Sequence, residues 1–287
     1  MRSDVWHITE DLDDFLAGSG DFLRSHPALH TTQLTVMERL RTYGSAEYGD
    51  RVTLFGRLER AGKVHATFYR LPSRGLAPTS LTPERADTLA AHLAGLGHSL
   101  PYVTADQSTA AAFAEAWQRR TDATSKLRTR LHLYRLGTLT PPQPLPEGRG
   151  RVAGEEDHEQ VVHWCHEFAA AVDEVLPHSW AGTRFADKHF TFWETLDGTP
   201  VSIAGSTSKI GGMARVDPVY TPAHLRGRGY AAAVTTEVTR AALAMGATDV
   251  VLFSDQGNPT SNALYQRLGY VLLTDWAVYD FSGAVPG

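Results

Sequence analysis

The chain has 287 residues, of which 42% are hydrophobic, and its 27 basic and 32 acidic residues give a net charge of −5. This length favours two domains, and the near balance of charge argues against general nucleic-acid affinity, which needs a basic face. Apolar runs stay short of the roughly 20 residues that cross a bilayer, and residues 1–15 lack the basic and apolar regions of a signal peptide.

The first half of the chain, residues 1–140, predicts one α/β domain. Short segments with a period of two indicate strands, and longer segments between them indicate helices. We predict a hairpin of two strands, a helix, a short strand, a second helix and a closing strand, at residues 51–58, 64–71, 83–96, 101–104, 109–120 and 127–136. Strands and helices therefore alternate in this half.

A proline-rich segment, residues 141–148, separates the two halves. It reads Pro-Pro-Gln-Pro-Leu-Pro-Glu-Gly. Prolines remove backbone donors and favour extended polyproline geometry. We predict a stiff linker between two domains.

The second half, residues 149–287, repeats the alternation. The predicted strands are at residues 149–153, 190–194, 201–208, 213–221, 249–253 and 270–281. The predicted helices are at residues 155–173, 181–189, 229–245 and 259–268. Gly198 lies in a predicted hairpin turn, and Gly246 is expected to cap the third helix because glycine tolerates the left-handed conformation there.

A glycine-rich turn immediately precedes the helix predicted at residues 229–245. It consists of Arg226, Gly227, Arg228, Gly229, Tyr230 and Ala231. Such a turn aims free backbone N–H groups at one point where the helix dipole is positive, which favours phosphate binding. The alternative is an ordinary glycine turn with exposed arginines.

Asn258 to Tyr265 forms a second motif, some forty residues further on. Asn258 followed by Pro259 is typical of a helix start. Tyr265 then places a phenol on a short helix that follows a strand. An anion site and a proton donor therefore occur in one domain, and together they indicate chemistry on a phosphate-bearing cofactor.

Taken together, these two motifs resemble the GNAT acetyltransferase superfamily. Arg226-x-x-Gly229-x-Ala231 matches its Arg/Gln-x-x-Gly-x-Gly/Ala signature, and residues from about 150 to 283 look like one such domain. The resemblance implies two tandem GNAT-like domains, each with a mixed, mostly antiparallel sheet flanked by helices. It also implies that the loop holds the pyrophosphate of acetyl-coenzyme A.

In GNAT proteins the strand before this loop binds the pantetheine amides through its backbone. The matching positions are Val219, Tyr220 and Thr221, and one of their N–H groups would polarise the thioester carbonyl. Pro218 and Pro222 bracket them, and proline in a sheet favours an edge or a bulge. A bulge would open a slot for pantetheine; the alternative is that the strand simply ends at Pro222.

The resemblance also assigns roles to residues near the presumed thioester. Tyr265 is the expected general acid for the departing thiolate, or a residue that packs the helix and orients the sulfur. Asn258 and Asn262 are candidates for pantetheine contact, although Asn258 has helix capping as its first role. Asp217 is the candidate base, with an ion pair to Arg215 as the structural alternative and ordered water as another source of base catalysis.

By the same comparison, the first half looks like a degenerate copy. It aligns Trp117 with Tyr265, so that an indole stands where the phenol would be. Before its first predicted helix it carries Arg74-Gly75-Leu76-Ala77, which does not match the signature. We expect this half to hold no cofactor and either to shape the acceptor cleft or to mediate formation of a homodimer.

The lone cysteine, Cys165, cannot form an intrachain disulfide, which favours a reducing cytoplasm. Because Cys165 faces away from His163 and His166 at helical spacing, we expect no metal site there. The predicted function is acetyl transfer from acetyl-coenzyme A to a small-molecule or peptide amine by direct attack, with no nucleic-acid or membrane partner. A non-catalytic acyl-coenzyme A sensor and an aminoacyl-tRNA-dependent transferase are the alternatives.

Overall fold

The computed structural model describes residues 4–44, 53–71 and 74–283. The chain forms two compact units. Unit 1 comprises the residues up to Leu133, with Asp255–Gly257 and the segment from Leu273 onward. Unit 2 comprises Tyr134–Ser254 and Asn258–Leu272.

Most of unit 1 is an alternation of strands and helices. Its elements are β1 (Val5–Thr9), α1 (Leu12–Ser25), α2 (Thr31–Tyr43), β2 (Leu54–Arg60), β3 (Lys63–Leu71), β4 (Arg74–Pro78), α3 (Pro83–Gly95), β5 (Tyr102–Asp106) and α4 (Gln107–Arg120). A long strand, β6 (Thr124–Leu136), follows and runs across the division between the units.

The elements that follow build unit 2. They are β7 (Arg149–Val152), α5 (His158–Ala171), β8 (His189–Glu194), β9 (Pro200–Ser206), β10 (Met213–Tyr220), α6 (Tyr230–Ala244), β11 (Asp249–Asp255), α7 (Pro259–Arg267) and β12 (Tyr270–Ser282). Short 3-10 turns, Glu155–Asp157 and Ala223–Leu225, precede α5 and the glycine-rich loop.

The sheet of unit 1 has the order β1-β2-β3-β4-β5-β12. β4 and β5 pair in parallel, and the other neighbours pair antiparallel. Residues 276–280 of β12 pair with residues 102–106 of β5, with Trp276 opposite Asp106. The predicted domain 149–287 therefore differs from unit 2, because the end of the chain completes the sheet of unit 1.

In unit 2 the sheet has the order β7-β8-β9-β10-β11. Strands β7 to β10 pair antiparallel, whereas β10 and β11 pair in parallel. Each unit thus has a mixed, mostly antiparallel sheet with one parallel pair of strands, and in each unit a helix lies between these two strands in the sequence. This arrangement confirms the predicted fold class.

Helices cover both faces of the unit 2 sheet because side chains alternate along its strands. Trp164 of α5 packs with Phe192 and Ile203 in one buried cluster. The next residues along those strands, Trp193 and Ala204, belong to a second cluster with α6 and α7. The β10 strand therefore lies between α5 on one face and α6 and α7 on the other.

Most predicted elements are present, but the helix predicted at residues 181–189 is wrong. This segment forms successive turns, such as those from Thr183 N–H to Trp180 O and from Lys188 N–H to Phe185 O. Gly182 and Pro177 interrupt any longer helical run. The described part of the chain has no helix long and apolar enough to cross a membrane.

Candidate active site

The parallel strands β10 and β11 part from one another within unit 2. Their pairing covers Met213, Ala214 and Arg215, opposite Asp249, Val250 and Val251. Both strands then continue, to Tyr220 and to Asp255. A wedge-shaped slot therefore opens in the sheet beyond Arg215 and Val251.

A β-bulge on β10 lies where the slot opens. Val216 pairs with Ser206 of β9 and Val219 pairs with Ala204, so β10 has one more residue than β9 over this stretch. The extra residue falls at Asp217-Pro218, because proline cannot donate to the ladder. The bulge therefore precedes the predicted position at Val219 to Thr221, where Val219 and Tyr220 pair regularly with Ala204 and Ile203.

The backbone of Val219 faces the slot. Ser202 of β9 donates from its Oγ to the Tyr220 carbonyl oxygen at 3.0 Å, so that carbonyl points toward β9. Because backbone groups alternate along a strand, the N–H and C=O of Val219 and Thr221 point the other way. The Thr221 carbonyl accepts from Arg226 Nε at 3.0 Å. Val219 is therefore the β10 residue best placed to hydrogen-bond an amide in the slot.

The glycine-rich loop ends at the N-terminus of α6. Gly227 and Gly229 have φ values of +78° and +83°, in the left-handed region that glycine adopts readily. Gly229 is the N-cap of α6, and in the described structure no side chain caps this helix. The first N–H groups of α6, from Tyr230, Ala231 and the residue after them, point out of the helix end. Such outward-pointing N–H groups have the geometry that an anion-binding site requires.

The two arginines of the loop differ in their contacts. Arg226 ties the loop to the end of β10 through the Thr221 carbonyl, so it serves the loop fold. Arg228 is exposed and makes a long contact of 3.5 Å from its guanidinium to the carbonyl of His224. Arg228 is therefore the arginine that is free to add positive charge to the phosphate site.

Helix α7 begins as predicted. Asn258 Oδ1 accepts from Ser261 N–H at 3.0 Å, and Pro259 occupies the first turn. Asn258 is thus a helix cap. Asn262, one turn further on, is buried with 9% exposure and lies on the same helix as Tyr265.

Tyr265 is 9% exposed and packs among aromatic rings. Its ring centroid lies 6.1 Å from that of Tyr270 and 6.5 Å from that of Tyr134. Burial raises the pKa of the Tyr265 phenol, and the nearby Tyr270 and Asp217 raise it further. The phenol is therefore protonated at neutral pH and is a hydrogen-bond donor.

Ser254 is a candidate that the sequence did not indicate. It lies on β11 beyond the residues that pair with β10. Its side-chain oxygen is buried with no hydrogen-bond partner in the described structure. A buried hydroxyl without a partner is costly unless something binds there. An amide of the pantetheine arm would satisfy it. A serine in an apolar strand carries no signal of such a role in the sequence alone.

Asp217, the predicted base, belongs to a buried ion cluster. Its carboxylate forms ion pairs with Arg184 and, at 3.3 Å, with Lys188. Burial by itself would raise the pKa of Asp217, but the positive charges of Arg184, Lys188 and Arg215 outweigh it and hold that pKa well below its usual range. A carboxylate this acidic is a weak base, so the contacts favour a structural role for Asp217, with Arg184 and Lys188 as ion-pair partners where the sequence suggested Arg215.

Arg184 connects this cluster to the segment between α5 and β8. Its guanidinium donates to Glu174 at 2.8 Å and lies over the ring of Phe185, 4.3 Å from the centroid. The same guanidinium contacts Asp217. Arg184 thus ties the bulge of β10 to the turns that replace the predicted helix.

Lys188 gives the cluster a measurable pH dependence. Its side chain is 1% exposed, and burial lowers the pKa of Lys188 from 10.5 to about 8 despite the attraction of Asp217. Between these values the unfolded chain still holds the Lys188 proton while the folded chain has released it. Raising the pH through this window therefore favours folding.

We expect the free energy of unfolding of the wild type, relative to Lys188→Met, to rise by about 3 kcal/mol between pH 8 and pH 10.5. Urea titrations of both proteins across this range measure the difference. Other groups that titrate there are common to both proteins and cancel. Parallel curves would show that Lys188 keeps an ordinary pKa in the folded chain.

Cys165 is buried against the sheet on α5. Burial raises the pKa of the Cys165 thiol to about 12, with the negative charge of Asp217 as a further cause. A thiol in this environment is inert, since the thiolate is the nucleophilic form.

In unit 1 the equivalent helix start is already occupied. Thr82 Oγ1 accepts from Arg85 N–H at 3.4 Å, Pro83 has no N–H, and Leu81 N–H donates to Thr109 Oγ1 at 2.8 Å. Trp117 is 2% exposed within the core cluster of this unit. The start of α3 therefore has its own side-chain partners where α6 has none.

Each unit pairs a mixed sheet with a helix between two parallel strands, and in unit 2 that helix starts at a glycine-capped loop. This architecture defines the GNAT class of folds. Residues 154–270 match the Acetyltransferase (GNAT) family and form a domain of that family. The search of curated proteins gave no match.

Solved structures match the fold over most of the chain. A GCN5-related N-acetyltransferase from Sphaerobacter thermophilus aligns with a TM-score of 0.60 at 15% identity, over 99% of this chain and 96% of that chain. A tandem GNAT protein from the clavulanic acid biosynthesis pathway aligns with a TM-score of 0.57 at 14% identity, over 99% and 100%. A GCN5-related N-acetyltransferase from Kribbella flavida aligns with a TM-score of 0.51 at 18% identity, over 76% and 87%. At these identities the likeness concerns the fold, and the N-terminal half is GNAT-like as predicted.

Proposed function

We propose that unit 2 transfers an acyl group, with acetyl expected, from acyl-coenzyme A to a primary amine. The observation that carries this proposal is the slot between β10 and β11, which ends at the uncapped, glycine-led start of α6. The slot has the backbone groups for an amide chain and the loop has the N–H groups for a pyrophosphate. GNAT folds generally bind acetyl-coenzyme A, in keeping with the family match of residues 154–270.

Each part of the site has a separate task in this proposal. The N–H groups of Tyr230 and Ala231, with the charge of Arg228, bind the pyrophosphate. Gly227 and Gly229 give the loop its conformation. The backbone of Val219 and the Thr221 N–H, which point away from β9, align the pantetheine arm, and the Val219 N–H polarises the thioester carbonyl. Tyr220 holds β10 against β9 through its carbonyl. Asn262 and Ser254 supply further polar contacts along the slot.

Direct attack by the amine is the expected chemistry. The amine nitrogen bonds to the thioester carbon, the carbon–sulfur bond breaks, the sulfur leaves as a thiolate, and the amine loses a proton. Cys165 is buried with a raised pKa, so it does not offer a thiolate for a covalent intermediate. The acyl group therefore passes between two bound substrates in one step.

Tyr265 acts on the leaving sulfur in this scheme. The raised pKa keeps its phenol protonated, so the hydroxyl is available as a donor when negative charge develops on sulfur. A free thiol has a pKa of about 8.5, so complete proton transfer from so weak an acid is uphill. We assign Tyr265 to hydrogen bonding and charge stabilisation at the sulfur, with the thiolate protonated on release.

Asp217 is a residue of the β10 bulge and has a structural role in this proposal. Its pKa is held low by Arg184 and Lys188, so we assign the proton lost by the amine to water rather than to this carboxylate. Asp217 then contributes by holding the β10 bulge and thus the position of Val219.

The proposed function is tested by incubating the chain with acetyl-coenzyme A and a panel of primary amines. Release of free thiol and the gain in mass of the amine product by one acetyl group are measured together. We expect at least one amine to give both signals in equal amounts. Tight binding of coenzyme A without turnover of any amine would favour a non-catalytic sensor instead.

A further inference from the structure

The proline-rich segment, residues 141–148, is part of unit 2 and is held at both ends. Thr140 N–H donates to the Leu268 carbonyl at 2.9 Å, next to the end of α7. At the other end, Trp193 Nε1 donates to the Glu147 carbonyl at 3.3 Å, at the end of β8. We call this segment the proline strap.

Between these anchors the proline strap passes the phosphate loop. A Cβ placed on Gly229 would lie 3.7 Å from Cγ of Pro146 and 3.8 Å from its Cβ and Cδ. The Pro146 ring therefore borders the residue that caps α6. A strap fixed at both ends forms a rigid wall beside the loop, since proline rings also restrict its backbone.

This wall has an apolar surface that the fold does not cover. Leu145 is 46% exposed, one residue before Pro146. Exposed cationic groups flank it: Arg228 lies on the loop itself, and the Arg149 side chain is 72% exposed three residues beyond Pro146. An apolar surface beside a phosphate-binding loop and two arginines is suited to bind a nucleotide, with the purine on the apolar surface and the phosphates near the positive charges.

We propose that Leu145 and Pro146 bind the adenosine end of coenzyme A. This inference rests on the proposed function, because it places the nucleotide beside the pyrophosphate loop. The strap lies outside residues 154–270, which match the family, so this subsite would be a property of this chain's own linker. The proline strap would then have two roles, as the connection between the two halves and as part of the coenzyme A site.

Isothermal titration calorimetry with three ligands tests the proposal: coenzyme A, adenosine 3′,5′-bisphosphate and 4′-phosphopantetheine. The double variant Leu145→Ala/Pro146→Ala should bind the two adenosine ligands about tenfold more weakly than the wild type, since it loses apolar contact with the purine. Binding of 4′-phosphopantetheine, which has no adenosine, should stay within about twofold. Val271→Ala, at an exposed apolar residue of β12 in the same unit but outside the strap, should leave all three affinities unchanged.

Several outcomes would overturn the proposal. Equal loss for all three ligands would mean that the strap only shapes the phosphate loop. If the double variant bound coenzyme A as tightly as the wild type, Leu145 and Pro146 would not contact the adenosine. If it bound more tightly, the strap would obstruct the coenzyme A site rather than form part of it. A wild type that binds none of the three would contradict the proposed function, and this inference with it.

Discussion

Gly229→Ala should weaken coenzyme A binding by about tenfold to a hundredfold. Gly229 has a φ of +83°, which strains any residue with a Cβ, and the added methyl would project into the gap between the loop and Pro146. The methyl itself would lie at an ordinary contact distance from Pro146, so the backbone strain is the effect that moves the N–H groups at the start of α6 away from a bound pyrophosphate. Loss of one or two charge-assisted hydrogen bonds accounts for the expected magnitude.

Gly198→Ala is the matched control for backbone strain. Gly198 has a φ of +85° in the turn between β8 and β9, and a Cβ there would meet nothing within 4 Å. Both variants should lose about 1–2 kcal/mol of stability. Calorimetry should show the affinity loss for Gly229→Ala alone. If the two variants bound coenzyme A with equal affinity, the loop at Gly229 would not be part of the cofactor site.

Tyr265→Phe should lower kcat by about a hundredfold and leave the Kd for coenzyme A within about twofold. The phenylalanine keeps the aromatic packing with Tyr270 and Tyr134 and removes only the hydroxyl. A donor that acts on the leaving sulfur stabilises the transition state rather than the bound substrate. Steady-state rates with the best amine of the panel, together with calorimetry, separate these two effects.

Tyr270→Phe is the matched control for this hydroxyl. The Tyr270 hydroxyl is buried and hydrogen-bonds Thr239 Oγ1 at 2.7 Å, so its removal should cost about 1 kcal/mol of stability. We expect kcat to stay within about twofold of the wild type, because this hydroxyl already has a partner away from the slot. If both variants lost kcat equally, Tyr265 would be a packing residue.

The helix starts of unit 2 were predictable from the sequence because the motifs that set them are local. A glycine-led helix start needs residues that follow one another, and Gly229 caps α6 as the pattern indicated. Asn258 and Pro259 begin α7 for the same reason. The prolines also indicated a bulge near the end of β10, since proline cannot donate to a ladder, but the bulge lies at Asp217-Pro218 rather than at Val219 to Thr221.

Long-range contacts were the part that the sequence could not supply. Asp217 was read as a base from its position beside Val219, whereas Arg184 and Lys188, some thirty residues earlier, neutralise it. The segment predicted as a helix at residues 181–189 forms turns instead, and two of its side chains, Arg184 and Lys188, contact Asp217 of β10. Ser254 has no local signature at all, and its buried hydroxyl is visible only in the fold.

Strand order was the second limit. Residues 270–281 were predicted as the closing strand or strands of the second half, yet residues 276–280 pair with β5 of unit 1. Four elements of unit 1 were not predicted: the helices α1 and α2 and the strands β1 and β4. The recognisable motifs of the sequence lie in the second half of the chain. Strand periodicity identifies a strand but does not say which neighbour it pairs with.

Unit 2 is the proposed coenzyme A site, and unit 1 is expected to hold none. Calorimetric titration with coenzyme A tests this assignment most directly. We expect one equivalent bound per chain, because α6 has no side-chain cap in the described structure, whereas α3 is capped by Thr82 and begins at Pro83, which has no N–H. Two equivalent sites per chain, or a single site that persists undiminished in Gly229→Ala, would contradict it.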